Sequence, residues 1–165
     1  MLVLRPFDVS DFAALRSWAP TEDDVYLFAG TRQHWPLTDA ILTSWLTAEG
    51  VTPWTAHLAS APGTAVGHIE LVRTGPTTGR LARVILDPGM RGRGNGRHLV
   101  SAAIDAARIA GVNHLSLNVI TTNAAAFRTY LSLGFTDAGP NPEHPTMTIM
   151  EATLQDAPSV TDGRQ

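Results

Sequence analysis

The hydrophobic pattern changes twice between residues 80 and 120, and this change restricts the folds open to the chain. Residues 80–87 form an extended run, whereas from residue 94 onward the apolar residues recur at the three- and four-residue spacing of a helix. Gly111 marks the end of that helix, and residues 115–119 alternate between apolar and polar as a strand does. A helix between two strands predicts a crossover that joins parallel neighbours in one sheet.

The chain before this crossover predicts an antiparallel meander. Three extended runs cover residues 54–59, 65–73 and 80–87, and turn sequences containing Gly and Pro separate them at 61–63 and 75–76. Short connections of this kind join antiparallel neighbours. The sheet is therefore expected to combine antiparallel and parallel pairs.

The remaining pattern completes an α/β (α+β) fold. The other expected elements are a strand at 2–4, a helix between Asp8 and Pro20, a helix from Pro36 to Gly50, a helix at 124–133, and strands at 135–138 and 146–154. Residues 21–35 predict either a short helix or an ordered loop, because Gly30 interrupts the apolar run. We expect one domain at 1–154, with a mixed, mostly antiparallel sheet of about seven strands and about four helices, and a disordered tail at 155–165.

Composition excludes several kinds of protein and of chemistry. The length of 165 residues and the hydrophobic content of 44% fit a single globular domain. The net charge of −3 disfavours binding to nucleic acid or to a membrane surface. Without a leader pattern or an apolar span of about 20 residues, a cytoplasmic location is expected. The absence of Cys and Lys excludes a cysteine nucleophile and a Schiff base, and the His residues show no metal-ligand spacing, so no metal site is expected.

The segment at residues 86–99 carries the strongest indication of chemistry. Three glycines lie at alternate positions where a strand meets a helix: Gly92, Gly94 and Gly96. They leave the unpaired N–H groups of the helix start free to surround an anion. Three arginines crowd the same helix start, where cations are unfavourable unless an anion is bound: Arg91, Arg93 and Arg97. The alternative is a glycine-rich turn with solvated arginines.

The spacing of these glycines excludes two familiar phosphate-binding loops. The segment lacks the G-x-x-x-x-G-K-[ST] pattern of a nucleotide P-loop, and the chain has no lysine to reach a phosphate. It also fails the G-x-G-x-x-G dinucleotide pattern, because Arg97 occupies the position of the third glycine. The pyrophosphate of a different carrier remains as the expected ligand.

Two motifs in this chain resemble those of the GNAT (GCN5-related N-acetyltransferase) superfamily. The first is Arg91-x-x-Gly94-x-Gly96, which is similar to the acetyl-CoA pyrophosphate loop. The second, 27 residues after Gly96, is the Asn…Tyr…Gly-Phe pattern of Asn123, Tyr130 and Gly134-Phe135. The resemblance extends over nearly the whole chain to about residue 154 and is sharp from 86 to 135. Leu4-Arg5-Pro6 and residues 66–71 look most like the branch related to ribosomal-protein N-terminal acetyltransferases.

This resemblance implies acetyl-CoA as co-substrate and a set of residues that bind it. These residues are Leu86, Arg91, Gly92, Arg93, Gly94, Asn95, Gly96, Arg97, Asn123, Phe127 and Tyr130. The backbone N–H of Leu86 would stabilise the oxyanion, and Tyr130 would protonate the departing thiolate. The alternative for Tyr130 is a packed core tyrosine, and the alternative for Asn123 is a helix N-cap, which is compatible with binding.

Without cysteine, the expected mechanism is direct attack of an acceptor amine on the thioester while both substrates are bound. Attack needs an unprotonated amine, and Glu70, which shares a strand face with His68, is the candidate catalytic base if both point into a cleft. Alternatives are a cross-strand pair of Glu70 with an arginine, a structural role for His68, and a water chain. Many members of the family carry an acid on the strand before the loop, but 81–86 here has none.

The acceptor is expected to be a small-molecule amine or a peptide N-terminus. Its site should come from residues 21–35 and the following helix. Candidate contributors are the acidic Glu22, Asp23 and Asp24, which would attract a cation or serve as a helix first turn, and the aromatic Tyr26, Phe28 and Trp35. The chain is expected to be a monomer or a homodimer. Two rivals stay open at this point, a non-catalytic acyl-CoA sensor and a partner-binding module on the same scaffold.

Overall fold

The computed structural model describes residues 1–154, so the predicted tail at 155–165 lies outside the described residues. The described residues contain seven strands: β1 (Leu2–Pro6), β2 (Val51–Leu58), β3 (Ala61–Arg73), β4 (Thr78–Leu86), β5 (His114–Ile120), β6 (Thr136–Pro140) and β7 (Met147–Thr153). The helices are α1 (Phe12–Trp18), α2 (Glu22–Ala29), α3 (Asp39–Thr47), α4 (Asn95–Ile109) and α5 (Ala124–Ser132). Short 3-10 turns precede α1 and follow β4.

All seven strands form one sheet in the order β1-β2-β3-β4-β5-β7-β6. Strands β1 to β4 are a meander of antiparallel neighbours, and β7 is antiparallel to both β5 and β6. The crossover through α4 makes β4 and β5 parallel. The predicted fold class, with its mixed and mostly antiparallel sheet, is therefore confirmed.

Each face of the sheet buries its own hydrophobic core. The larger core packs α4 and α5 against β3, β4, β5 and β7, with Leu99 and Leu115 completely buried. The second core packs α1, α2 and α3 on the opposite face around Leu15, Val25 and Trp45. Alternation along the strands separates the two cores, because successive side chains point to opposite faces.

Residues 21–35 contain a true helix, α2, which brings the number of α-helices within residues 1–154 to five where about four were expected. Thr21 and Asp24 form a reciprocal capping box at its start. Gly30, which suggested an early interruption, is its C-cap in the left-handed conformation with φ 73°. Likewise Thr38 is the N-cap of α3, so that helix begins at Asp39 rather than at Pro36.

The part of the chain that the structure describes contains no helix with the length and apolar character needed to cross a bilayer.

Candidate active site

A β-bulge in β4 lies at the centre of the candidate site. Glu70 of β3 pairs with Ala82, whereas His68 pairs with Ile85, so β4 carries one extra residue in this stretch. Arg83 lies in the bulge with φ 49°, a left-handed conformation that residues other than glycine seldom adopt. Such bulges bend a strand and re-aim its side chains.

Beyond the bulge the sheet opens into a wedge, the gap between residues 82–86 of β4 and 118–120 of β5. These parallel strands pair as far as Leu81 and Leu117. A small cavity of about 80 Å³ lies in the wedge. Two larger spaces meet there, the loop cleft of about 410 Å³ on one side and the Trp45 cavity of about 450 Å³ on the other.

The loop cleft brings the two sequence motifs together. It is lined by eight of the residues assigned to the co-substrate: Leu86, Arg91, Gly92, Gly94, Gly96, Arg97, Asn123 and Tyr130. Helix α4 begins here, and its first N–H groups, those of residues 95–97, have no acceptor within the helix. Gly92 and Gly94 have φ 74° and 77°, which glycine alone adopts without strain. The cleft therefore offers backbone donors to an anion.

Arg91 has a structural contact in addition to its place in the cleft. Its Nε donates to the Leu86 carbonyl at 3.1 Å, and its Nη2 donates to the Trp18 carbonyl at 3.2 Å. The guanidinium thus ties the end of β4 to the end of α1. Arg97, in the first turn of α4, is exposed and lines the cleft.

Three of the residues assigned to the co-substrate lie outside the lining of the loop cleft: Arg93, Asn95 and Phe127. The Asn95 side chain turns back and donates to the Met90 carbonyl at 2.9 Å, which closes the turn before α4. Phe127 packs against the larger core, and Arg93 is exposed to solvent. The side chain of Asn95 therefore serves the loop, and that of Phe127 serves the core.

Tyr130 lies on α5 at the junction of the loop cleft and the wedge. It is buried, and its ring meets Phe135 edge-on with centroids 5.9 Å apart. Burial raises the pKa of Tyr130 to about 12, so the hydroxyl stays protonated at neutral pH. Asn123 is indeed the N-cap of α5, since its Oδ1 accepts from the Ala126 N–H at 3.2 Å, while it also lines the cleft.

The expectation that Glu70 and His68 point into a cleft is wrong. Glu70 is 0% and His68 1% exposed, because the second core covers this face of β3. One oxygen of Glu70 contacts His68 Nε2 at 3.0 Å, and the other accepts from Arg83 Nη1 at 2.7 Å. The His68 ring packs edge-on against Phe7. Glu70 thus forms the cross-strand pair with an arginine that was the alternative.

The Trp45 cavity lies where an acceptor site was expected, between the end of α2, α3 and the wedge. Phe28 and Trp45 are its aromatic walls, and Arg83 stacks on the Trp45 ring at 4.2 Å. Its other polar lining residues are His34, Ser44, Arg80, Asn118 and His144. Among the described residues no Asp or Glu lines it.

Most of the side chains proposed for the acceptor site have other partners. Asp23 pairs with Arg32, and Asp24 accepts from Thr21 in the cap of α2 and borders the loop cleft instead. Tyr26 lies beneath Arg32 at 4.7 Å. Trp35 is 40% exposed and does not line the cavity. The acidic trio is therefore a helix first turn, and only Phe28 forms part of the wall.

The imidazole of His34 lines the Trp45 cavity, and its pKa is shifted. Burial lowers the pKa of His34 below its ordinary value of 6.5, and the nearby Arg83 lowers it further, against an opposing effect of Glu70. Its Nδ1 is buried without a hydrogen-bond partner among the described residues. A neutral imidazole with a free ring nitrogen is a proton acceptor.

The model of the Acetyltransferase (GNAT) family matches residues 13–135. This chain belongs to the GNAT family. The match includes both motifs and confirms the resemblance, and it supports acetyl-CoA as co-substrate.

Two solved structures share the GNAT fold at low sequence identity, and one curated relative matches part of the sequence. A spermidine N-acetyltransferase from Vibrio cholerae, solved with CoA and spermine, has a TM-score of 0.73 and 16% identity over 93% of this chain and 95% of that one. The ribosomal-protein-S18-alanine N-acetyltransferase from Escherichia coli has a TM-score of 0.68 and 22% identity over 97% and 98%. A streptothricin acetyltransferase from Streptomyces lavendulae is 46% identical over 52 residues, 32% of this chain. The chain thus matches only 28% of the length of that curated relative.

The GNAT motifs lie on the loop-cleft side of the wedge, and the residues that line the Trp45 cavity belong to neither motif. The residues that sequence reasoning missed line the Trp45 cavity: His34, Trp45, Arg80, Arg83 and Asn118. They come from four separate parts of the chain and form no motif. One indication was available, since Arg80 and Arg83 are charged residues in an otherwise apolar strand.

Proposed function

We propose that this protein is an N-acetyltransferase that moves an acetyl group from acetyl-CoA to a primary amine by direct attack in a ternary complex. The observation that supports this most is the wedge itself. Two spaces of similar volume, about 410 Å³ and about 450 Å³, meet at one opening in the sheet. A co-substrate in one space and an acceptor in the other would bring thioester and amine together.

The loop cleft is suited to the CoA side of this reaction. The start of α4 offers N–H groups and a positive dipole end to the pyrophosphate, and Arg91 and Arg97 add charge at the same place. Its apolar lining includes Leu27, Val84 and Val100, which suits the pantetheine arm. The thioester would then reach the wedge beside Tyr130.

The backbone N–H of Leu86 is the oxyanion donor in this proposal. The Asp87 N–H donates to Val66 of β3 at 2.9 Å. Because successive residues of a strand direct their N–H groups to opposite edges, the Leu86 N–H is directed to the edge from which β5 has separated. The C=O and N–H of one strand residue point to the same edge. The Leu86 carbonyl accepts from Arg91 rather than from β3, which is consistent with this direction. A backbone donor aimed at developing negative charge stabilises the transition state.

Tyr130 supplies the donor for the leaving group. With a pKa of about 12 it is present as O–H throughout the neutral range. The thiol of CoA belongs to a class with a reference pKa of about 8.5, so the C–S bond breaks toward a thiolate that needs a hydrogen-bond donor.

The attacking amine must lose a proton, and the group that accepts this proton belongs to the Trp45 cavity. Glu70 is closed off from the cavity, and its carboxylate holds Arg83 and His68 in place. We assign it as a positioning residue. His34 lines the Trp45 cavity, and its buried Nδ1 has no hydrogen-bond partner among the described residues, so we assign it as the proton acceptor in this proposal.

Bisubstrate kinetics test this function. Release of the CoA thiol is followed while acetyl-CoA and a panel of primary amines are varied together. Intersecting double-reciprocal lines are expected, because both substrates bind before reaction. Parallel lines would indicate a covalent acetyl-enzyme and contradict direct attack. Binding of acetyl-CoA without turnover of any amine would favour the acyl-CoA sensor.

A further inference from the structure

The Trp45 cavity has the charge of a site for an anion. Two arginines line it, Arg80 and Arg83, and the described part of the chain contributes no carboxylate to its lining. A protonated polyamine would find no partner of opposite charge there. The cavity therefore differs in charge from what the sequence suggested through the acidic residues of α2.

Packing of the fold does not explain why an arginine occupies position 80. The alternation of β4 sends Leu81 into the larger core and Arg80 to the opposite face, at the cavity. Its Nε is buried and has no hydrogen-bond partner among the described residues. Within the same residues no carboxylate lies within ion-pair distance of it. Buried donors are nearly always satisfied, so an unsatisfied one indicates a missing partner.

Arg83 is held in place beside it. Its Nη1 donates to Glu70 at 2.7 Å and its guanidinium stacks on Trp45 at 4.2 Å. Glu70 engages one of the five N–H donors of Arg83, and no other residue in the described chain accepts from the remaining four. The Glu70 charge balances Arg83, so the cavity keeps about one uncompensated positive charge, that of Arg80.

We propose that Arg80, assisted by Arg83, binds a carboxylate of the acceptor, so that the acceptor is a small amine that also carries an acid group, such as an α-amino acid. This inference rests on the proposed function. Guanidinium groups match carboxylates in shape and pair with them through charge-assisted hydrogen bonds. The aromatic walls, Phe28 and Trp45, leave room for an apolar side chain in the cavity of about 450 Å³.

The test compares amines that differ only in the acid group. Three series are used, phenylalanine, methionine and leucine, each with its carboxamide and its decarboxylated amine, and 1,5-diaminopentane serves as a cationic probe. Initial rates of CoA release are divided by the fraction of unprotonated amine at the assay pH. The acid is expected to have at least about tenfold higher kcat/KM than its two analogues.

The variant Arg80→Gln assigns that preference to this side chain. It should raise KM for the acid by about tenfold to a hundredfold, leave KM for acetyl-CoA unchanged, and abolish the preference over the carboxamide. Arg108→Gln is the matched control, because Arg108 is exposed on α4 and pairs with Asp105 far from both spaces. Thermal melting of both variants verifies that they are folded.

The outcomes separate the inference from the function on which it rests. If carboxamides or diamines react as well as the acids, or if Arg80→Gln keeps the preference, the acid site is wrong while acetyl transfer stands. If the protein binds acetyl-CoA but acetylates none of the three acids, the inference is also overturned. If it neither binds acetyl-CoA nor acetylates any amine, the proposed function itself fails.

Discussion

The loop cleft and the Trp45 cavity lie on two sides of one wedge, yet they are built in different ways. The anion-binding part of the loop cleft is built from consecutive residues whose backbone forms the site, as the left-handed Gly92 and Gly94 show. The Trp45 cavity is built from side chains of α2, α3, β4 and β5 together with the α2–α3 connection that carries His34. Backbone recognition requires glycine at fixed spacing and leaves a motif in the sequence. Recognition by dispersed side chains leaves none.

This difference assigns separate roles to the two sides. In the proposed function the loop cleft holds the pyrophosphate and supplies the donor for the thiolate. In the same proposal the Trp45 cavity selects the acceptor through its charge and supplies the proton acceptor. Variants on the two sides should therefore affect different kinetic constants.

Tyr130→Phe is expected to give the largest effect. The ring packing against Phe135 is kept and only the donor to the thiolate is lost, so kcat should fall by about 10²–10⁴-fold with unchanged acetyl-CoA affinity. Tyr26→Phe is the matched control, because the Tyr26 hydroxyl contacts Thr146 outside both spaces. Equal kcat for Tyr130→Phe and the wild type would show that Tyr130 is a packing residue.

Glu70→Ala tests whether Glu70 is structural. Removing one member of a buried ion pair leaves Arg83 and His68 without their partner, which should reduce the free energy of unfolding by about 3 to 5 kcal/mol. Urea denaturation measures this. Glu70→Gln, which keeps the shape and part of the hydrogen bonding, should lose less stability. A base role would instead make Glu70→Gln as stable as the wild type but nearly inactive.

Alkaline pH offers a check on the burial of Tyr130. Its ordinary pKa of 10.0 is raised to about 12 in the fold, so the stability it contributes is complete below pH 10 and is lost as the pH rises through 12. A two-unit rise corresponds to about 2.7 kcal/mol. Urea unfolding of the wild type should weaken over this window relative to Tyr130→Phe. Parallel curves for both proteins would show that the hydroxyl is solvated.

The pH dependence of kcat tests whether His34 of the Trp45 cavity is the proton acceptor. Because burial and Arg83 lower the pKa of His34, its neutral form should predominate at and above the ordinary value of 6.5. Activity should therefore fall only below that pH as His34 becomes protonated. His34→Gln should lower kcat and remove this acidic limb. An unchanged limb in His34→Gln would exclude His34 as the proton acceptor.

The sequence alone was sufficient to predict the fold and the glycine-rich part of the loop cleft. Alternation, turns and the helical period after residue 94 predict the meander, the crossover and the parallel pair, because each is a local pattern with one geometric solution. The exception was α2, where Gly30 ends the helix but suggested a loop. The burial of Glu70 escaped prediction, because alternation places it on a face without showing that α1 and α3 cover that face.

The bulge explains why the acceptor side was also missed. One extra residue in β4 moves Arg83 beside the cavity and turns its guanidinium onto Trp45 of α3, nearly 40 residues earlier in the chain. No pattern within β4 shows the insertion, since it is defined only by the pairing with β3. Predicting this cavity requires tertiary contacts.

Thermal unfolding with acetyl-CoA tests the central claim, that the loop cleft binds the co-substrate, most directly. Ligand at about 100 Kd should stabilise the wild type by about 2.7 kcal/mol, a rise in Tm of about 5 to 10 °C, with adenosine diphosphate as the control for pyrophosphate alone. Gly96→Val should fold, because a Cβ there meets only Leu86 Cδ1 at 3.9 Å, but its added side chain fills the cleft. The account predicts a large rise for the wild type and little for Gly96→Val. No rise for the wild type, or the same rise for both proteins, would contradict it.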